Sequence, residues 1–344
     1  MNNQSAFIVS AVLLAAGMTL SAGASAQSTW NVYNGSSGGS GCSQNATNTG
    51  SFNNSYACTG VGTAGTSMTA SAWSSNSDRG ATAGIQGTVN TTSTNTSTFY
   101  GAEYALSGSG FASALLSDQG SSGLGGTSRL EAQTARAGGD TTPLSPGSPN
   151  HAFDSIAPGA FDMLLLDFGS TSVILDKIGI GWKQTQADIT VMRWTGATAP
   201  TKTVGASTMT GDGHQNLTSV LYNPANPGTA GWQLVGSYQD LGTDSAAPFG
   251  DAARSLNTTL SSSWWLVSAF NTTLTGGSSA CTAANGSAAT CTAGNDSFKF
   301  NYIATKNPSP PGLSVSEPSS LALATLALVG GVWSRRRRTT ALAV

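Results

Sequence analysis

The sequence predicts an all-β fold, a single jelly-roll-like β-sandwich with long Gly/Ser-rich loops, and three observations support this class. Short segments of alternating apolar and polar residues recur about every 8–12 residues with turn residues between them, as in sandwich strands. Only 9% of the 344 residues are charged, and Gly, Ser, Thr, Asn and Ala replace the usual helix formers. The strongest apolar run, residues 161–168, has the length of one buried strand.

The N-terminus predicts a secretory signal. Residues 6–20 are almost entirely apolar, and the small residues Ala24 and Ala26 stand where a signal peptidase reads the chain. We therefore expect signal peptidase to cleave after Ala26, so that residues 1–26 are removed and an exported domain begins at residue 27.

The exported domain, residues 27–306, offers a series of strand-like segments. In chain order they are residues 30–33, 67–73, 99–106, 161–168, 173–175, 178–182, 188–194, 232–241, 264–270 and 298–303. Residues 88–98 are rich in Thr, Asn and Ser and fit either a polar edge strand or a loop. Residues 107–150 hold few apolar anchors and predict a long loop.

Within the segment 178–182, Ile178, Ile180 and Trp182 share one face and glycines occupy the other. A glycine face permits close approach by another backbone or by a ligand.

Four cysteines form two close pairs, Cys42 with Cys58 and Cys281 with Cys291. An exported chain matures in an oxidising compartment, so we expect two local disulfides. Crossed pairings are also open at this point. Neither pair has zinc-finger spacing, the two histidines stand apart in sequence, and we expect no cofactor and no bound metal. The formal net charge of −2 gives no electrostatic basis for binding nucleic acid.

The C-terminus has four parts in order. Residues 307–316 are a Pro-rich spacer, Glu317 and Pro318 follow, and residues 321–333 are apolar. The basic cluster comprises Arg335, Arg336, Arg337 and Arg338. The apolar segment is short for a membrane span, and the arginines would stay cytoplasmic. An ordinary membrane anchor is one interpretation of this tail.

This tail resembles the PEP-CTERM sorting signal, which an exosortase recognises and cleaves. The resemblance rests on Glu317 and Pro318, the apolar segment and the arginine cluster, while Ser316 stands where the family usually has Pro. The central blocks 148–154, 161–168 and 178–182 are similar to those of exosortase-dependent surface proteins. The resemblance implies export, transient residence in the inner membrane of a Gram-negative bacterium, and surface or matrix association. It carries over no catalytic residues.

The densest ionisable cluster of the central block contains His151, Asp154 and Asp162, with Asp167 nearby. A loop carboxylate and an imidazole beside a strand are one way to build a ligand site. We favour the alternative that these side chains fix a loop by hydrogen bonds.

Aromatic residues raise a second hypothesis, a sugar-stacking face. Its candidates are Trp182, Trp194, Trp232, Trp264 and Trp265. We favour burial of these rings in the core. A hydrolase would need paired carboxylates, for which Asp167, Asp176 and Asp188 are nonspecific candidates.

The sequence therefore predicts a non-enzymatic, exosortase-sorted protein of the cell surface or extracellular matrix. Its role would be structural or adhesive, with exopolysaccharide as a partner. The alternative is a carbohydrate-binding module with an exposed aromatic face.

Overall fold

A computed structural model describes residues 27–32, 41–45, 53–62, 67–75, 110–127, 152–155, 161–184, 186–204, 215–243, 252–294 and 296–308, together with the backbone of residues 86–90 and 96–100. The chain divides into two units, residues 1–308 and 309–344, and every described residue lies in the first.

The described residues form twenty-two strands. They are β1 Gln27–Asn31, β2 Gly41–Gln44, β3 Ser55–Thr59, β4 Val61–Gly62, β5 Ser67–Ser74, β6 Gln86–Asn90, β7 Thr96–Tyr100, β8 Phe111–Ser113, β9 Leu115–Asp118, β10 Leu124–Thr127, β11 Phe153–Asp154, β12 Asp162–Asp167, β13 Ile174–Lys183, β14 Ile189–Trp194, β15 Lys202–Val204, β16 Gln215–Leu217, β17 Trp232–Tyr238, β18 Arg254–Ser255, β19 Trp264–Ala269, β20 Ala280–Thr282, β21 Ala288–Thr290 and β22 Ser297–Lys306. A single 3-10 turn, Gly120–Ser122, separates β9 from β10.

Two large sheets account for all strands except β6 and β7, which pair with each other. The first sheet has the order β18-β13-β22-β1-β4, with β10 and β11 also paired to β22 and β9 paired to β10. The second has the order β15-β16-β8-β5-β12-β19-β14-β17-β20-β21, and β2 and β3 extend it from β5.

The main core lies between these sheets. Alternate residues of each strand point to the same face, so Ile178 and Ile180 of the first sheet meet Leu164, Leu166 and the strands beside them. All four side chains are fully buried. The predicted all-β sandwich is therefore confirmed.

The second sheet is buried on its outer face as well. Met163 and Leu165 of β12 point away from the main core and join a separate buried cluster with Trp73, Trp194 and Trp232. An uninterrupted apolar run such as residues 162–166 is what a strand covered on both faces requires.

The prediction of a long loop over residues 107–150 is wrong for residues 110–127. Three strands and the 3-10 turn occupy this stretch, and Phe111, Leu115, Leu116 and Leu124 are buried. These few apolar side chains reach the core although most of their neighbours in sequence are small or polar. The Gly- and Ser-rich composition therefore does not reveal the strands. Within the polar run 88–98, residues 88–90 lie in β6 and residues 96–98 in β7, and these strands pair antiparallel.

The glycine face of β13 packs against the backbone of another segment. A Cβ on Gly181 would lie 2.7 Å from the carbonyl oxygens of both Ser121 and Ser122. The 3-10 turn thus packs directly on this glycine, as the close approach predicted from the sequence requires.

Two disulfides join Cys42 to Cys58 and Cys281 to Cys291, which confirms the local pairing. The first links β2 to β3, where the two cysteines are cross-strand partners. The second closes the hairpin of β20 and β21 and packs against buried Phe270. We call residues 280–291 the disulfide hairpin.

Candidate functional site

The predicted ligand loop is only partly described. Asp154 lies in β11 of the first sheet and Asp162 begins β12 of the second, and both side chains are buried. His151 lies outside the described residues. Among the described residues, no group of three or more His, Cys, Asp or Glu side chains is placed to hold a metal ion. A ligand role for this loop stays a prediction.

The predicted aromatic residues do not form an exposed face. Trp194, Trp232, Trp264 and Trp265 are all buried. The adjacent residues Trp264 and Trp265 point to opposite faces of β19, and each enters a different buried cluster because both faces are covered. Trp182 is half-buried, with the Nζ of Lys299 4.6 Å from its ring centroid. A stacking platform of five tryptophans is therefore absent.

The two ends of the sandwich domain meet in the first sheet. Residue 27 opens β1 and pairs with Lys306, the last residue of β22. The buried carboxylate of Asp176 accepts a hydrogen bond from Gln27 Nε2 at 3.2 Å and forms an ion pair with Lys306 Nζ at 2.5 Å. We call these three residues the terminal clasp. It brings the predicted signal-cleavage point beside the start of the C-terminal spacer.

The other two acids suggested for hydrolysis are engaged elsewhere. Asp167 accepts a hydrogen bond from the backbone N–H of Gly169 at 2.8 Å, as in a tight turn. Asp188 accepts hydrogen bonds from backbone N–H groups of other segments, described below.

A groove of about 260 Å³ lies at the end of β17. Three segments line it: residues 239–242, residues 252–257 without Leu256, and the turn of the disulfide hairpin at Ala284 and Gly286. Gln239, Asp240, Arg254, Ser255 and Asn257 contribute its polar side chains. No local sequence pattern marks this groove, because its residues come from three separate segments of the chain.

Two buried carboxylates anchor the walls of the groove. Asp188 accepts hydrogen bonds from the backbone N–H of Asp240 at 2.7 Å and of Thr292 at 3.0 Å. Asp296 accepts one from the backbone N–H of Asp188 at 2.8 Å and one from Ser155 Oγ at 3.0 Å. Together they tie the start of β14, the end of β17 and the residue that follows the disulfide hairpin into one unit.

Burial shifts both acids. It is the largest cause that raises the pKa of Asp188 above its usual value. Burial, with repulsion from Asp188 as a smaller contribution, raises the pKa of Asp296 to about 7. Below that pH the Asp296 carboxyl is protonated, so the pair avoids carrying two buried charges.

The groove backbone is held in an unusual conformation. Asp240 has φ 40° and Asn257 has φ 49°, and they are two of the three described non-glycine residues with positive φ. Asp and Asn tolerate this region better than other residues. The Tyr238 hydroxyl donates to the Leu256 carbonyl at 2.8 Å, which fixes the chain just before Asn257.

The charged side chains in and beside the groove already have partners. Lys183 Nζ forms an ion pair with Asp240 and donates to the Leu241 carbonyl at 3.2 Å. The Arg254 guanidinium donates to the carbonyl oxygens of Thr282 and Ala283 in the disulfide hairpin. The site is thus polar but close to neutral.

The fold and these sites define an exportable, disulfide-stabilised β-sandwich followed by a separate C-terminal unit. Residues 314–338 of that unit match the family model of the PEP-CTERM protein-sorting motif. The resemblance found in the tail is thereby confirmed, and Glu317, Pro318 and the arginine cluster fall within the matched residues. A search of curated proteins finds no match to the chain, and a search of solved structures finds none.

The motif marks an exported protein that an exosortase processes and sorts via the membrane to the cell surface. Proteins with this motif are the cargo of that sorting system. Among the described residues there is no helix long and apolar enough to cross a membrane, and the apolar segment 321–333 lies outside them.

Proposed function

We propose that the protein is a non-enzymatic structural or adhesive component of the cell envelope or of the exopolysaccharide matrix. The observation that carries this proposal is the sorting motif at residues 314–338, placed directly after a disulfide-stabilised sandwich domain. Disulfides suit a domain that functions outside the cytoplasm.

The terminal clasp supports the processing part of the proposal. Signal peptidase would cleave after Ala26, and exosortase would cleave near Glu317 and Pro318. Because residues 27 and 306 are neighbours in the sheet, both cleavable segments are joined to the domain at neighbouring positions. The domain can then sit on one side of the inner membrane while both segments reach it, with the arginine cluster on the cytoplasmic side.

The buried acids support a non-enzymatic role. Three buried carboxylates accept hydrogen bonds that hold the chain in place. Asp176 does so in the terminal clasp, and Asp188 and Asp296 do so with backbone N–H groups. Hydrogen bonds of this kind stabilise a carboxylate in a structural position and withhold it from a substrate.

Mass spectrometry of the surface form tests the proposal. We expect a mature N-terminus at residue 27 and loss of the arginine cluster. A double variant, Glu317→Ala with Pro318→Ala, should keep the tail and remain in the inner-membrane fraction, whereas the matched control Ser319→Ala should be processed normally. Recovery of the arginine cluster on the wild-type surface form would refute the proposal.

A further inference from the structure

We propose that the groove at the end of β17 binds one ring of a neutral, hydroxyl-rich ligand, that is, a sugar. This inference deepens the adhesive role proposed above and rests on it. Four features of the groove lead to it: its size, its lining, its charge balance and its fixed backbone.

Size and lining exclude an apolar ligand. At about 260 Å³ the groove lies just below the usual range for small-molecule sites, so it accommodates a small ligand or one unit of a chain. Five of its nine side chains are amide, hydroxyl or charged, three of the others are alanine methyl groups, and its one large apolar residue, Leu241, is 2% exposed. A ligand in this groove must therefore exchange hydrogen bonds rather than bury apolar area.

Charge balance excludes a strongly ionic ligand. Asp240 is neutralised by Lys183, so a bare cation would have to displace an ammonium group. Arg254 already donates to two carbonyl groups of the disulfide hairpin, so an anion would have to compete with these hydrogen bonds. A neutral ligand incurs neither cost.

The groove offers both donors and acceptors to hydroxyl groups. The Asn257 side chain is exposed and makes no hydrogen bond with described residues, so both its amide donor and its carbonyl acceptor are available. Gln239 uses its Nε2 on the Thr290 carbonyl at 3.1 Å, and its Oε1 can accept a hydrogen bond. A sugar hydroxyl both donates and accepts, which matches this mixed set.

The groove is also preorganised. The positive φ angles of Asp240 and Asn257 persist because the Asp188 carboxylate and the Tyr238 hydroxyl hold the adjoining backbone. A site whose backbone is fixed before binding loses less conformational entropy when the ligand arrives.

Saturation-transfer NMR on the full-length chain tests this inference, with a detergent that has no sugar headgroup. The probes are glucose, galactose and mannose, with glucuronate and calcium chloride as ionic comparisons. We expect at least one neutral hexose to bind with a dissociation constant in the millimolar range, more tightly than glucuronate. Absence of transfer to every neutral hexose, tighter binding of glucuronate, or displacement of the hexose by calcium would overturn the inference.

Glycine substitutions locate the binding site. Asn257→Gly removes the amide without straining the backbone, because glycine accepts the positive φ, and should weaken hexose binding about fivefold, the loss of about 1 kcal/mol of hydrogen bonding. The matched control is Asn53→Gly, which changes the third positive-φ residue, at φ 84°, and should leave binding unchanged.

If Asn257→Gly lowers the melting temperature, Ser255→Ala replaces it, since this variant deletes one hydroxyl from the groove wall. Unchanged hexose binding in the folded variant would refute the site. Loss of binding with normal removal of the C-terminal tail would leave the sorting proposal intact, so the two failures are distinguishable.

Discussion

Replacing Lys299 with methionine should make the domain more stable at neutral pH. Lys299 lies in β22, the strand that pairs with four others in the first sheet. Its side chain is 0% exposed and its Nζ has no hydrogen-bond partner, while the Trp182 ring centroid lies 4.6 Å away. A buried ammonium with an aromatic ring as its only described partner is poorly compensated for the water it has lost.

The magnitude follows from the pKa. Burial lowers the pKa of Lys299 from its ordinary value of 10.5 to about 8. Since one pKa unit is worth about 1.4 kcal/mol, keeping this ammonium protonated costs the folded state about 3 kcal/mol. The cost is fully present below pH 8, where both states are protonated. It disappears as the pH rises from 8 to about 10.5, because the folded state releases its proton first.

Urea denaturation at a series of pH values measures this. The wild-type free energy of unfolding should rise by up to about 3 kcal/mol between pH 8 and 10.5, relative to Lys299→Met. The variant, which keeps most of the side-chain volume, should be about 1–3 kcal/mol more stable at pH 7, allowing for the lost contact with Trp182.

The matched control is Lys177→Met, which removes a half-buried lysine from β13. It should not bring a comparable gain in stability at pH 7, because its side chain is only half-buried. A Lys299→Met protein that is less stable at pH 7 and follows the wild-type pH dependence would refute the reasoning.

Three further predictions concern the core and its covalent links. The wild-type protein should lose up to about 4 kcal/mol of stability as the pH rises from about 4 to 7, because the pKa of Asp296 is about 7 in the folded state and about 3.8 in the unfolded state. Asp296→Asn should abolish this loss. Urea titrations that show the same pH dependence for both proteins would contradict the prediction. Cys42→Ala with Cys58→Ala opens a link of sequence separation 16 and should lower the free energy of unfolding by about 3 kcal/mol, measured by urea denaturation; no change would refute a stabilising link. Trp264→Ala and Trp265→Ala should each cost about 3–5 kcal/mol in thermal or urea melts, and a negligible loss for Trp264→Ala would mean that its ring is not part of a core.

The longest strands were predictable from sequence because alternation or a continuous apolar run determines which faces are buried. Residues 67–73, 161–168, 188–194 and 264–270 each contain or closely overlap a strand of the second sheet. The segments 173–175 and 178–182 fall, except for residue 173, in the single ten-residue strand β13, since the turn-like residues between them form a bulge and do not end the strand.

Short strands escaped prediction for a physical reason. β8, β9 and β10 contain three or four residues each, and their apolar side chains are separated by Gly and Ser. Such segments have no local preference for a strand and become strands only because neighbours such as β5 and β22 offer them backbone partners.

The sequence by itself determined the fold class and the sorting tail, because each depends on residues that lie close together in the chain, and it favoured the local disulfide pairing that the structure confirms. Only the tertiary structure decided that the large tryptophans are core, that Gln27 and Lys306 share one carboxylate, and that a polar groove forms at the end of β17. These features join residues that are separated in the chain, by more than 100 positions for the terminal clasp and by up to 47 for the groove, or they involve faces covered by other strands. Their formation depends on how the sheets pack, which local residue patterns do not encode.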